Sequence, residues 1–280
     1  VSIMGNAVNQ NPPSISVLMG VYNAEATAAR AIDSILNQSF HDFEFLIVDD
    51  GSTDSTLSIL TGFAARDSRI RVLRVESNGG LTRALNLGLS EAHAPLIARM
   101  DADDFSMPER LGKQFEAMRS NPSWLACGTD IRVVDRETGH VKHQTRPEND
   151  IAEALKQKNV FIHGSLLFRA QTLKDVGGYD EYFRLTQDYD LLLRLSRQGT
   201  LGWVSESLYE FTLSSKSLSA TQIKNQIHYA AVAKTRHTVG ARTAAQYNET
   251  FLGKLVYRWE WFRIWVWIYK CGLSLKKLRR

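Results

Sequence analysis

The chain has 280 residues, 44% hydrophobic and 23% charged, with a formal net charge of +4. This is the profile of a soluble globular protein with one large domain, or one domain plus an extension. Residues 251–280 hold eight Lys/Arg against the single acid Glu260, so the rest of the chain is net acidic, which argues against a nucleic-acid-binding core. Cys127 and Cys271 suggest neither a disulfide framework nor a metal knuckle, and a reducing compartment is the simpler expectation. No charged start followed by an apolar run opens the chain, so no secretory leader is expected, and no stretch reaches the ~18–20 apolar residues of a membrane span.

Ile15–Val21 is an apolar run sized for one buried strand. Tyr22-Asn23 follow it, then a helix over Ala24–Gln38 with Ala28, Ile32, Ile35 and Leu36 on one face. Phe43–Val48 is a second strand, ending in Asp49-Asp50-Gly51-Ser52-Thr53-Asp54, where Ser52 or Thr53 is placed to cap the next helix. Ile70–Val75 is a third strand, Asn78-Gly79-Gly80 a turn and Leu81–Ala92 a helix. The fourth strand starts at Leu96 and runs into Asp101-Ala102-Asp103-Asp104.

This β-α-β-α-β-α-β alternation predicts an α/β fold, with a mainly parallel sheet and helices on both faces. In a parallel sheet all carboxyl ends share an edge, so Tyr22, Asp49/Asp50, Asn78 and Asp101–Asp104 converge on one rim. Three crowded acids read either as a solvated acidic turn or as a site where a hard divalent cation bridges carboxylates to a diphosphate, and the convergence favours the second. Neither G-x-G-x-x-G after the first strand nor G-x-x-x-x-G-K-[ST] is present, which disfavours the Rossmann dinucleotide and Walker readings.

Beyond Asp104 the alternation loosens. Met107–Ser120 reads as a helix, Leu125–Val134 and Val160–Phe168 as strands, Gly177-Gly178-Tyr179-Asp180 as a turn and Thr186–Gln198 as a helix. Asp188 and Asp190 fall in that helix's first turn, where the dipole favours carboxylates, so capping competes with any chemical role. One or two short strands fit Gly202–Phe211, and a polar helix fits Ser219–Val239.

The succession ISVLMGVYN, VDDGSTDST, MDADD, HGSLLFR, GGYDE and QDYDLLLRL resembles the inverting glycosyltransferases of family two, which have the Rossmann-like GT-A fold and use nucleotide-diphosphate sugars. The resemblance spans about residues 14–240. It implies a nucleotide-binding half over 14–105, an acceptor half over 106–240 and a separate tail over 241–280. By the same resemblance Tyr22 would lie against the nucleobase, and Asp50 would accept a hydrogen bond from it. Arg83 and Asp101 would contact the nucleotide, and Asp103 and Asp104 would hold Mn²⁺ or Mg²⁺. Asp188 would be the catalytic base, and His163 either lines the donor–acceptor space or is a satisfied structural histidine. The implied partners are a nucleotide-diphosphate sugar, uridine-linked by preference, and a glycan or lipid-linked acceptor in cell-surface polysaccharide synthesis. Many members carry Y-R-x-H after the base helix, whereas here the segment reads Tyr209-Glu210-Phe211-Thr212, so the third metal ligand is not supplied in the usual way.

The tail sets Leu255, Trp259, Phe262, Val266 and Tyr269 at helical spacing among Arg258, Arg263, Lys270 and a closing LKKLRR. It reads as an interfacial helix on the cytoplasmic face of a membrane, or as a helix packing its tryptophans on the domain or a partner.

Overall fold

In a computed structural model the described residues are 2–4, 12–214 and 221–239, and the tail reading of 251–280 lies outside them. The chain packs as two units, Val1–Ser215 and Lys216–Arg280.

The first unit is built on a sheet of ten described strands. Its parallel wing contains β2 (Ile15–Val21), β3 (Phe43–Asp49), β4 (Ile70–Arg74) and β5 (Leu96–Asp101), in spatial order β4-β3-β2-β5. β3 is buried along its whole length and β2 almost so. That explains their mostly apolar, non-alternating sequences, since helices cover both faces and no alternation is required. α1 (Ala28–Leu36) buries Ala28, Ala31, Ile32 and Ile35 at steps of three and four. α2 (Thr56–Ala64) and α3 (Leu81–Ser90) complete the crossovers. β1 (Ser2–Met4) extends the wing as an antiparallel edge on β4.

The second wing turns the sheet mixed. The three-residue β9 (Leu167–Arg169) pairs antiparallel with both β5 and β7 (Trp124–Asp135), and so joins the wings. β10 (Thr200–Leu213) runs parallel to β7 through three register irregularities, and β6 (Phe105–Ser106) caps its far side. β8 (Val141–Gln144) pairs antiparallel with β7. α4 (Arg110–Ser120), α5 (Ile151–Gln157), α6 (Ala170–Asp175) and α7 (Gln187–Leu195) pack in this half. In the second unit α8 spans Ile223–Val239. Among the described residues no helix is long and apolar enough to cross a membrane.

Three expectations are corrected. The apolar segment 160–168 is not one strand: His163–Ser165 is a 3₁₀ turn, and only Leu167–Arg169 joins the sheet. Within this turn Gly164 passes so close to β10 that an added β-carbon would overlap the Tyr209 hydroxyl. Ser52 and Thr53 do not cap α2. Its first turn is held by Asp54 Oδ1, which accepts from the Thr56 N–H at 2.9 Å. Finally, β10 is a single fourteen-residue strand where one or two short ones were expected.

Candidate active site

The carboxyl ends of β2, β3 and β5 do share one rim, and much of the polar sequence there ties the rim together. Asn23, at φ 48°, receives a bond from Thr53 N–H on its Oδ1 (2.8 Å) and donates its own N–H to Ser52 Oγ (3.0 Å). Ala24 N–H donates to Thr56 Oγ1 at 2.8 Å. VDDGSTDST is thus in large part a connector between the loops after β2 and β3. Tyr22 beside it keeps 46% exposure, an open aromatic face on the rim.

Asp50 is buried, and its two oxygens accept from the N–H groups of Gly79 (2.9 Å) and Gly80 (2.8 Å). It therefore fixes the turn that opens α3, where Gly80 sits at φ 92°. Arg83, one turn into α3, lies over Gly79 and points an exposed guanidinium toward Glu181 at 4.0 Å.

The acids after β5 divide into different environments. Asp101 is partly exposed, and its Oδ1 receives a 2.6 Å charge-assisted bond from Arg99 Nη2. Asp103 is exposed. Even so, the protein packed around its carboxyl and the neighbouring Asp101 charge push its pKa up to about 6. Asp104 is buried, with Oδ2 accepting from the Tyr209 hydroxyl and Oδ1 from Thr212 N–H, both at 2.8 Å. Burial and the charges of Asp101 and Asp103 hold its carboxyl well above the ordinary range. Both of its oxygens tie the acid loop to β10.

The segment Tyr209–Thr212, where the Arg and His of the resemblance are missing, has a network of its own. Glu210 accepts from Arg30 Nη2 at 2.5 Å and lies 3.6 Å from Arg132, while the Arg30 guanidinium stacks 4.7 Å from the Phe105 ring centroid. Arg30, Arg136, Asp103, Glu210 and Thr212 line a cavity of about 170 Å³. A larger one, about 340 Å³, lies between α3 and α6 and includes none of these acids.

Under the acids lie two fully buried arginines that no motif pointed to. Arg99 spreads its donors over Leu18 and Met100 carbonyls, Asp101 and His163 Nε2. Arg110 donates to the carbonyls of Arg99 (2.9 Å) and Gly164 (2.6 Å), and burial lowers its pKa to about 10. Their positive charge offsets the carboxylates above them. His163 Nε2 accepts from Arg99 Nε (3.2 Å) and faces the Tyr179 hydroxyl (2.7 Å). Burial and the Arg99 charge hold it neutral, with the proton on Nδ1. These contacts tie His163 into the network beneath the acids, between Arg99 and the turn that carries Tyr179.

Asp188 stands in the first turn of α7, after Thr186 at φ 59°. It is half-buried, and its Oδ2 accepts from Asn159 Nδ2 at 2.7 Å. Burial raises its pKa to about 6, and Asp101 across the cleft adds to the rise. Asp190 faces the other way, pairing with Arg194 Nε at 2.8 Å, while Arg194 also clasps the Val176 and Gly178 carbonyls. Asp190 thus secures the glycine turn behind α7.

Among the described residues, no group of three or more His, Cys, Asp and Glu side chains is arranged to hold a metal. What the site does offer is an exposed oxygen donor, Asp103, in an excess of negative charge. That suits a hard cation whose remaining ligands come from phosphate and water.

A Rossmann-like wing that gathers carboxylates at its carboxyl edge, joined to a mixed wing that brings a further acid across the cleft, defines the GT-A class. The chain belongs to glycosyl transferase family 2, whose family model matches residues 16–177. It is 37% identical to EpsE of Bacillus subtilis, a provisionally assigned glycosyltransferase, over 71% of this chain and 72% of EpsE. It is 34% identical to the O-antigen biosynthesis glycosyltransferase WbnJ of Escherichia coli, over 72% and 81%. Among solved structures, Staphylococcus aureus TarS in complex with UDP-GlcNAc superposes with TM-score 0.68 at 18% identity, covering 95% of this chain and 77% of that one. The mannosyltransferase PcManGT of Pyrobaculum calidifontis, in complex with GDP-Man and Mn²⁺, gives TM-score 0.62 at 17% identity, over 89% and 70%.

Proposed function

We propose that this glycosyltransferase moves a sugar from a UDP-linked donor to a hydroxyl of a glycan or lipid-linked acceptor, with inversion, in cell-surface polysaccharide synthesis. The observation that carries the reading is the juxtaposition of Asp188 with Asp101. Asp188, the second residue of α7, lies near enough to Asp101, the last residue of β5, for the Asp101 charge to add to the rise that burial gives the Asp188 carboxyl.

An acceptor hydroxyl is a weak nucleophile near neutral pH. Asp188 takes its proton as the new bond forms on the anomeric carbon, a contribution of roughly 10²–10⁴ in rate. A carboxyl near pKa 6 is still ionised at pH 7 and is a stronger base than an ordinary aspartate. The attack comes from the face opposite the leaving nucleotide, so inversion needs no covalent sugar–enzyme intermediate. Tyr22 offers its open ring to the base, Asp50 holds the Gly79-Gly80 turn against the nucleotide, and Arg83 and Asp101 lie along its path. Asp103 is the residue that would hold Mn²⁺ or Mg²⁺, and such a cation would supply Lewis-acid stabilisation of the departing diphosphate. The role of WbnJ in O-antigen biosynthesis supports the acceptor class, and the nucleotide and metal complexes of TarS and PcManGT support the donor chemistry. The basic aromatic tail would place the enzyme at the cytoplasmic face of the membrane, where lipid-linked acceptors reside.

The test is a thermal-shift panel of UDP, GDP, dTDP and CDP, each with and without Mn²⁺. A metal-dependent shift with UDP is expected. A shift with another nucleotide would replace the donor assignment, and no shift on folded protein would favour a non-catalytic, scaffold role for this fold.

A further inference from the structure

Asn159 has no sequence signal of its own, yet it is built to do one thing. Its Oδ1 accepts from the Phe161 N–H at 3.1 Å, an Asx turn that settles the orientation of the amide. Oxygen faces the chain's own backbone, so the NH₂ group must face Asp188, to which it donates at 2.7 Å. The segment carrying it is anchored on both sides. Phe161 packs on Trp203 with ring centroids 4.9 Å apart and against Gly128, and Val160's carbonyl accepts from Gln144. α7 is tied to α5 by the Tyr189 hydroxyl on the Leu155 carbonyl at 2.5 Å. Four residues further on, His163 engages Arg99, which holds Asp101. One short segment therefore touches both sides of the cleft.

We propose that Asn159 is a positioning residue for Asp188, fixing the direction of its carboxylate and stabilising it in the ionised form in which it accepts the acceptor's proton. The inference rests on Asp188 being the base. The other groups facing Asp188 are the backbone N–H of Tyr189, which favours its ionised form, Asp101 from β5, which opposes it, and the neutral Tyr179 from the turn before α7. The cation on its own helix, Arg194, is paired with Asp190. Asn159 is thus the side-chain donor that, with the backbone N–H of Tyr189, offsets Asp101.

The decisive variant is Asn159→Asp. It keeps the oxygen that accepts from Phe161, and so preserves the turn, but replaces the donor to Asp188 with a second carboxylate. Asn159→Ala removes both contacts. On the full chain, ¹³C NMR of labelled aspartate carboxyls follows the Asp188 resonance, recognised by its loss in Asp188→Asn. Release of UDP from UDP-GlcNAc, with water as acceptor, is followed across the same pH range. The Asp188 midpoint should rise by about one pH unit or more in Asn159→Asp, and the acidic limb of kcat should rise with it while the KM for UDP-GlcNAc holds. An unmoved midpoint in folded Asn159→Asp would overturn the inference alone, leaving the base assignment intact if Asp188→Asn is inactive. Wild-type turnover by Asp188→Asn would overturn the base assignment and the inference together.

Discussion

The Tyr209 hydroxyl donates to Oδ2 of Asp104 at 2.8 Å and stands 3.2 Å from the Asp101 N–H, so one side chain of β10 closes the loop after β5. Tyr209→Phe removes that hydroxyl and leaves the ring on which Arg110 stacks at 5.2 Å. A buried carboxylate then loses a donor, which costs about 1–3 kcal/mol. Denaturant unfolding of the variant against wild type measures it, and an unchanged midpoint would mean that Thr212 N–H alone suffices for Asp104.

The opposite edge of the sheet carries a network of a different kind. Glu44 is buried and accepts from Ser16 Oγ (2.6 Å), the His93 N–H (2.8 Å) and Arg71 Nη1 (2.9 Å). Burial alone would raise its pKa, but these bonds outweigh burial and hold it below the ordinary value. A depressed folded pKa means stability that is present above about pH 4.5 and lost as pH falls through the folded value. Glu44→Gln should cost about 2–3 kcal/mol at pH 7. It should also flatten the acid limb of the stability curve, which unfolding at pH 3–7 would show.

Asp103 and Asp188 have the reverse sign. Each is pushed up to about 6, above its unfolded value near 3.9. Between those limits the folded chain binds more protons, so their contribution to stability declines as pH rises. Asp103→Asn and Asp188→Asn should therefore gain stability over wild type on going from pH 4.5 to pH 7. Mn²⁺ should oppose the decline in wild type, raising the melting temperature more at pH 7 than at pH 5. Asp103→Ala should lose that response together with metal-dependent nucleotide binding, and a retained Mn²⁺ response would remove Asp103 as the ligand.

The parallel wing was legible because its strands are buried on both faces. Ile15–Val21 and Phe43–Val48 offered mostly apolar side chains and a strand's length to read, with Ser16 and Glu44 as the polar exceptions, and the structure keeps those limits to within a residue. The mixed wing was not, because its cues conflict. Segment 160–168 is as apolar as a strand, yet it turns at His163–Ser165, where Gly164 lies against Tyr209 with no room for a side chain. The acid cluster and Asp188 were visible as motifs, but their environments were not, since Asp103 and Asp104 differ only in which way the loop turns them. Arg99 lay inside a strand run and Asn159 between elements. Both matter through partners distant in sequence, which no local pattern encodes.

Asp188→Asn separates chemistry from binding. The substitution keeps the shape and the contact with Asn159 but removes the negative charge that accepts a proton. If the carboxylate acts only in the transition state, turnover should fall by at least ~10²-fold while donor affinity stays near wild type. The acid's other reading, a stabilising charge in the first turn of α7, makes a different prediction. Dipole complementation is worth about 0.3–1 kcal/mol, so its loss would lower stability slightly and leave turnover on folded protein unchanged. Burial sharpens the contrast: Asp188 is raised to about 6, so its charge is a net cost to the fold at pH 7, and the Asn variant should be at least as stable as wild type. Steady-state rates and unfolding midpoints on the same preparation decide it. A more stable, inactive enzyme is the signature of a base, and a less stable, fully active one is the signature of a cap.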